Sequence, residues 1–321
     1  MIEPIPKRRL HAGALLLTTS VAACLLVGAF VLAVALAGAQ EPQAAKSVAE
    51  RAEGKPARIS LAGKPHRLGA RVGLSGRIPV AVPSAVKLRF RAAGGRAWHD
   101  LQRLATNRKG VFTTRLKARR TGAIQAVPRF GDPSPPRPIR VRAKARFKVS
   151  DKHLDLGEKV RLFGLAEPGG RRPFKVVVRG PEGKTVKHST DGKGRFRQGW
   201  RPRSPGTYTL RAFAGKNAAA AGAAGPSRRI TVYRPAHASW FGPGLYGNST
   251  ACGQTLTSGL LGVAHKTLPC GTKLTLRHGS RRVRTEVIDR GPFIPGREFD
   301  LTLATRDRLG FGDLGTVYVN R

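Results

Sequence analysis

Apolar and polar positions alternate in short runs through most of this chain. From about Ile59 to Pro235 the runs are a few residues long, broken by Gly and Pro, with little helical period, which predicts strands. The pattern continues over 238–321, where Lys273–Arg277, Val283–Ile288 and Thr316–Val319 alternate or run apolar between glycine turns. A short helix is expected from Thr302 to Leu309, ended by Gly310. Two segments depart from the strand pattern. Val21–Ala39 has no polar interruption and is long enough to span a bilayer, and Lys7, Arg8 and Arg9 before it set an N-inside orientation. Ala37-Gly38-Ala39 also resembles a signal-peptidase site. A signal peptide and a signal-anchor helix over 1–39 both stay open, and either exports everything after Ala39. Residues 40–58 are polar without a sustained apolar period and read as a linker.

The strand-rich region repeats itself. Val72–Gly76 (VGLSG) matches Val160–Gly164 (VRLFG), and Asn107–Phe112 (NRKGVF) matches Asp191–Phe196 (DGKGRF). Thr121-Gly122 matches Pro205-Gly206, and the closing strands Ile139–Val141 and Ile230–Val232 correspond. The units, 59–146 and 147–235, have room for about seven short strands each, which suggests an immunoglobulin-like β-sandwich. Neither holds a cysteine. Asp191-Gly192 predicts a tight hairpin turn with positive φ at the glycine. Ala218–Gly225, of alanine and glycine alone, is expected to be a flexible loop. The expected fold class is therefore all-β, with two sandwich repeats ahead of a third domain at 238–321.

Charge narrows the partners. Lys and Arg number 59 against 18 Asp and Glu, a net charge of +41. Residues 238–321 account for only +5 of this, so the upstream region carries +36. Such a charge favours polyanions. Export excludes nucleic acid as the expected partner and leaves anionic wall polymers, phospholipid headgroups and peptidoglycan carboxylates. A solvated surface without a dedicated partner is the alternative, and the repeats are then a passive stalk.

Candidate chemistry concentrates near the C-terminus. Asp289 ends the apolar strand Val287-Ile288 and precedes Arg290-Gly291-Pro292. A carboxyl group there is partly desolvated, which suits a general acid; Arg290 beside it favours the anion, and holding the turn is its structural alternative. Asp300 points away from Phe299 and Leu301 if the segment is extended, and its structural alternative is to N-cap the following helix. His265 is a third candidate. Cys24 lies in a lipobox-like Val21-Ala22-Ala23-Cys24, but Leu25-Leu26-Val27 continue the apolar run where polar mature sequence should begin. Cys252 and Cys270 form the exported pair, and export permits a disulfide. Their spacing from His265 is not that of a zinc site, and no motif implies a cofactor or a metal.

The runs ASWFGPGLYGNSTACGQTLTSGLLGVAHKTLPCGTKLTL and EVIDRGPFIPGREFDLT resemble the double-psi β-barrel domain of the rare-lipoprotein-A family, whose members include septal lytic transglycosylases acting on peptidoglycan. The resemblance covers about a quarter of the chain. It implies a six-stranded double-psi barrel over 238–321 that cleaves peptidoglycan glycan strands to 1,6-anhydro ends without a cofactor. It implicates the aspartate of the DRGP motif, here Asp289; in related barrels the aspartate 11 residues later, here Asp300, is the acid. It assigns His265 to the active site and places an aromatic, Tyr246 ahead of Trp240, as a sugar-stacking wall. Gln254, Arg290 and Gly291 complete the expected substrate-contacting set. Gln254 is the chief departure, because the family has glutamate there, and glutamine cannot exchange a proton near neutral pH. A non-catalytic, expansin-like or inhibitor-like wall-polysaccharide binding module is the rival expectation, and a structural anchor gripping anionic wall polymers is a second.

Overall fold

The computed structural model of the chain describes residues 43–321. The expected membrane or signal helix at 21–39 lies outside them, and among the described residues no helix is long and apolar enough to cross a membrane. The first correction falls on the expected linker. Residues 43–52 are helical, and Val48 and Ala52 pack onto the core of the first sandwich. The apolar signal there is two side chains, too few to show as a period.

The first sandwich pairs a three-stranded sheet, in the order Arg58–Leu61, Arg71–Arg77, Val111–Lys117, with a four-stranded one, His99–Ala105, Ala85–Ala92, Gly122–Pro128, Arg137–Ile139. Alternation turns Val72, Leu74, Phe112 and Leu116 of one sheet towards Val86, Leu88, Ile124 and Ala126 of the other, forming one core. The second sandwich repeats this order with Lys144–Val149, Val160–Glu167 and Arg195–Trp200 against Lys184–Ser189, Pro173–Arg179, Gly206–Ala214 and Ala223–Phe241. Its core gathers Phe147, Leu162, Phe174, Phe196, Tyr208 and Ile230.

The repeat extends to single atoms. Asn107 Oδ1 accepts from the backbone N–H groups of Lys109 and Val111, and Asp191 Oδ1 accepts from those of Lys193 and Arg195. The positive φ of these turns falls on Gly110 (70°) and Gly194 (80°), not on Gly192 as expected. The aspartate side chain sets the turn two residues on, and the closing glycine supplies the left-handed backbone.

The alanine-rich segment is not a loose loop. The Thr121 N–H donates to Ala219 O (2.7 Å), Ala143 N–H donates to Ala221 O (2.9 Å), and Ala221 N–H donates to Val141 O (2.8 Å). Ala219 and Ala220 are buried. Small side chains let the second sandwich bring its backbone against the end of the first, and that is what the low-complexity composition supplies.

The C-terminal region closes into a barrel of six strands: β1 (Ala223–Phe241), β2 (Val263–Ala264), β3 (Lys273–His278), β4 (Arg281–Asp289), β5 (Phe299–Thr302) and β6 (Gly315–Val319). Pairings run β1–β5–β2–β4–β3–β6 and back to β1; β1–β5 and β2–β4 are parallel and the others antiparallel. Val263, Val287, Phe299, Leu301, Val317 and Val319 fill its centre. Helix α1 (Leu303–Leu309) follows β5, N-capped by the Thr302 hydroxyl, which accepts from the Thr305 N–H, and closed by Gly310 in the left-handed conformation. The cap is Thr302 and not Asp300, which leaves that carboxylate to other partners.

No linker separates the second sandwich from the barrel. β1 pairs through Gly206↔Val232 on the sandwich side and continues unbroken to Arg234↔Val319 in the barrel. Arg277 from β3 donates to Asp155 of the sandwich and stacks over Tyr233 and Tyr318. Asn320 Nδ2 donates to Thr207 Oγ1 at 3.3 Å.

Candidate functional site

Register places the two aspartates on one row. Ser239 of β1 pairs with Asp300 of β5, Asp300 with Ala264 of β2, and Ala264 with Asp289 of β4. Directly paired residues project to one side of a sheet, and the neighbouring row, Val263, Val287 and Leu301, is the buried core. In β4 the register slips by one residue at Ile288 between these two rows, so Asp289 leaves the core side that Val287 occupies and the carboxylates face away from the core on either side of Ala264. Two strand spacings separate their backbones, about 10 Å. Buried Ala264 stands between them.

Each aspartate is held differently. Asp289 Oδ1 accepts from the backbone N–H groups of Ala251 (2.8 Å) and Arg290 (2.8 Å). Both contacts fall on Oδ1, and Oδ2 has no hydrogen-bond partner among the described residues. Asp300 Oδ1 accepts from the Ser239 hydroxyl, which also accepts from Arg297 Nη1 at 3.2 Å.

His265 follows Ala264, and its backbone N–H donates to Asp289 O at 3.1 Å. Its Nδ1 accepts from the N–H groups of Thr267 (3.1 Å) and Leu268 (3.0 Å). A nitrogen that accepts twice carries no proton, so the neutral ring has its proton on Nε2. Nε2 faces Glu298 Oε1 at 3.7 Å. Burial lowers the His265 pKa, opposed by Glu298, which favours the charged ring. Glu298 is in turn gripped by both guanidinium nitrogens of Arg234, and those hydrogen bonds hold its carboxyl below the ordinary glutamate range.

Glu298 and Arg234 are the site residues that sequence reasoning missed. Glu298 stands two residues before Asp300 in an extended segment, so alternation puts it on the same side; the signal was present. Arg234, 64 residues upstream, had none.

The other expected residues divide. Arg290 does not reach into open space: its guanidinium donates to His265 O (3.2 Å), Leu268 O (2.9 Å) and Cys270 Sγ (3.3 Å). It braces the segment that presents His265. Gly291 has φ 113°, a conformation reserved for glycine, and turns the chain just after Asp289. Gln254 lies in a tight turn where its Oε1 accepts from the Thr250 hydroxyl at 3.0 Å; Ala251, which follows Thr250, donates its N–H to Asp289. Tyr246 is 39% exposed with its hydroxyl over Gly242. Trp240 donates to Asp313 (2.8 Å) under the Arg306 guanidinium, which ties it to α1. Cys252 and Cys270 form a disulfide across the His265 segment, with a Cα–Cα distance of 5.6 Å.

Residues 235–320 match the family model described as lytic transglycolase. An endolytic peptidoglycan transglycosylase RlpA of Campylobacter jejuni is 40% identical over 84 residues, 26% of this chain and 30% of that protein. A probable endolytic peptidoglycan transglycosylase RlpA of Synechocystis is 41% identical over 81 residues, 24% of this chain and 25% of that protein. The RlpA of Pseudomonas aeruginosa PAO1 is 38% identical over 84 residues, 26% of this chain and 25% of its own. The chain thus spans less than a third of the length of these relatives, all of it at the barrel. Among solved structures, a two-domain fibronectin type-III segment of chicken tenascin aligns over 54% of this chain and 97% of its own, at 17% identity and a TM-score of 0.34; that likeness carries no weight for the sandwiches. The C-terminal region is an RlpA-like double-psi β-barrel domain.

Proposed function

We propose that the barrel cleaves the glycan strands of peptidoglycan as a lytic transglycosylase, and the observation that carries this reading is the row Ser239–Asp300–Ala264–Asp289, which brings the two aspartates to one side of the sheet. Protonated Asp289 Oδ2 donates to the glycosidic oxygen as the C1–O bond breaks. The same oxygen then removes the proton of the sugar's own C6 hydroxyl, whose oxygen bonds to C1. One acid acts twice and no water is consumed, so the scheme, unlike a paired-carboxylate glycosidase, does not require a glutamate at 254. Asp300 lies across Ala264 on the same row, His265 donates from Nε2, and Tyr246 offers an exposed ring to the glycan.

The rest of the chain fits an exported protein. The stretch at 21–39 acts as signal or anchor, two immunoglobulin-like modules follow, and their basic surface meets anionic polymers or headgroups of the envelope. A binding-only module is the second reading, favoured by Gln254 and by the two backbone donors on Asp289 Oδ1. Incubation with purified sacculi separates the two. Soluble anhydro-muropeptides support cleavage, and sacculus binding without any released product supports the binding module.

A further inference from the structure

Strand alternation decides where the upstream positive charge goes. In the three-stranded sheet of the first sandwich, Ile59, Val72, Leu74, Phe112 and Leu116 point into the core, so the residues between them point out. Those outward positions include Arg58, Arg71, Arg77, Arg115 and Lys117, all exposed. None of the five takes part in a salt bridge among the described residues, and no carboxylate shares the face. Register sets Arg58 beside Arg77 at one end and Arg71 beside Lys117 at the other, about 20 Å apart along the strands.

Between the ends the sheet carries small residues. Ser60, Ser75 and Thr113 pair across the three strands, and Gly73 pairs with Arg115 in the next row. They leave a depression of about 480 Å³, lined by these residues with Leu61, Ala62, Leu74 and Thr114. The sandwich fold does not require it. In the second module, aligned on Gly76 and Gly164, the corresponding row is Lys148–Phe163–Arg197, and Phe163 stands out from the sheet, 38% exposed.

We propose that this face of the first module binds an extended polyanion of phosphodiester-linked polyol units, its phosphates at the arginine-bearing ends and its hydroxyls on the serine and threonine floor. Guanidinium forks match phosphate oxygens, and the floor hydroxyls both donate and accept. The face has no aromatic ring on which a nucleic-acid base would stack and no large apolar side chain to enter a bilayer. Nothing in the proposal depends on glycan cleavage by the barrel.

The test uses the full chain in mild detergent and immobilised poly(glycerol phosphate) at about 0.15 M salt. A length-matched single-stranded oligonucleotide and anionic phospholipid vesicles form separate arms. Arg77→Ser with Arg115→Ser is expected to weaken binding about tenfold or more, and Ser75→Phe, which leaves the charge unchanged, to do the same by filling the trough. The second module's Phe163 shows that the sandwich accepts an aromatic there. Arg195→Ser with Arg197→Ser removes equal charge from the second module and is expected to change affinity by about twofold at most. Equal losses from the two charge pairs with no effect of Ser75→Phe would overturn the site in favour of diffuse attraction. Binding of the oligonucleotide or the vesicles as tight as that of the polymer would overturn the ligand class. The polymer lacks a glycosidic bond, so its binding and the release of muropeptides succeed or fail independently.

Discussion

Glu298 changes what the histidine can be. Its carboxylate favours a charged His265 while burial opposes one, so Glu298→Gln removes the only favourable neighbour among the named causes. The expected result is a lower His265 titration midpoint by NMR, with the acid limb of any activity profile moving in the same direction. Loss of the Arg234 pair should cost about 1 kcal/mol, since both partners are only partly buried. An unchanged midpoint would mean that the 3.7 Å approach has no electrostatic consequence. The wild-type protein should also lose stability on acidification in two steps. The folded pKa values of His265 and Glu298 are both depressed, so each contribution is complete above the unfolded value and is lost as pH falls. The first loss begins below about 6.5 and the second below about 4.5; urea midpoints taken across this range would show them. Residue type and position pointed to Asp289 and Asp300 in the sequence, the family resemblance added His265, and alternation could have added Glu298. Nothing local marks Arg234, and nothing marks Arg290 as a brace, because both act on groups distant in the chain.

Elements position these groups through a few close approaches. Gly262 precedes β2, and its N–H and C=O bond to the hydroxyls of Thr302 and Thr305 at the start of α1. A Cβ at 262 would collide with the Ile288 side chain, one residue before Asp289. Gly262→Ala should therefore cost about 1–3 kcal/mol, the usual range for overpacking, seen as a lower Tm, and should slow any Asp289-dependent reaction. A wild-type Tm would mean that Ile288 has room to move. The disulfide bridges an 18-residue separation spanning His265, and its removal by Cys252→Ser with Cys270→Ser should cost on the order of 3 kcal/mol in the chain-entropy model. A denaturation midpoint unmoved by reductant would contradict that. Strand positions, the short helix and the repeat period were legible because alternation and turn residues are local. The Asp191 turn was read two residues early, since a side-chain oxygen bonding ahead moves the positive φ from Gly192 to Gly194. The alanine segment was misread for a different reason. Small residues mark both loose loops and close backbone contacts, and only the partner strand tells them apart.

At the scale of the whole molecule, the second sandwich and the barrel share β1, and Arg277 and Asn320 fasten its flanks. The pair should unfold as one cooperative unit, giving one calorimetric transition for residues beyond about 143, and Arg277→Ala should lower that single transition without splitting it. Two separable transitions would mean that the shared strand does not couple them. A barrel fixed on its neighbour presents the aspartate row at a set angle to the second module, and under the proposed function a long polymer would be held at one place and cut at another. The charge asymmetry that suggests this was plain in the sequence; the unbroken strand was not, because Pro235 looks like a boundary and is instead a paired position opposite Tyr318.

In the proposed function Asp289 is the single acid of a glycan-cleaving barrel. The most direct measurement compares the wild-type protein with Asp289→Asn and Asp300→Asn on intact and amidase-stripped sacculi, with soluble products resolved by mass spectrometry. The expected result is 1,6-anhydro ends from the wild-type protein and their loss, by a factor of about 100 or more, in Asp289→Asn. Product that persists in Asp289→Asn but vanishes in Asp300→Asn would move the acid to β5. Hydrated reducing ends, or no product from any form that still binds sacculi, would contradict the mechanism itself.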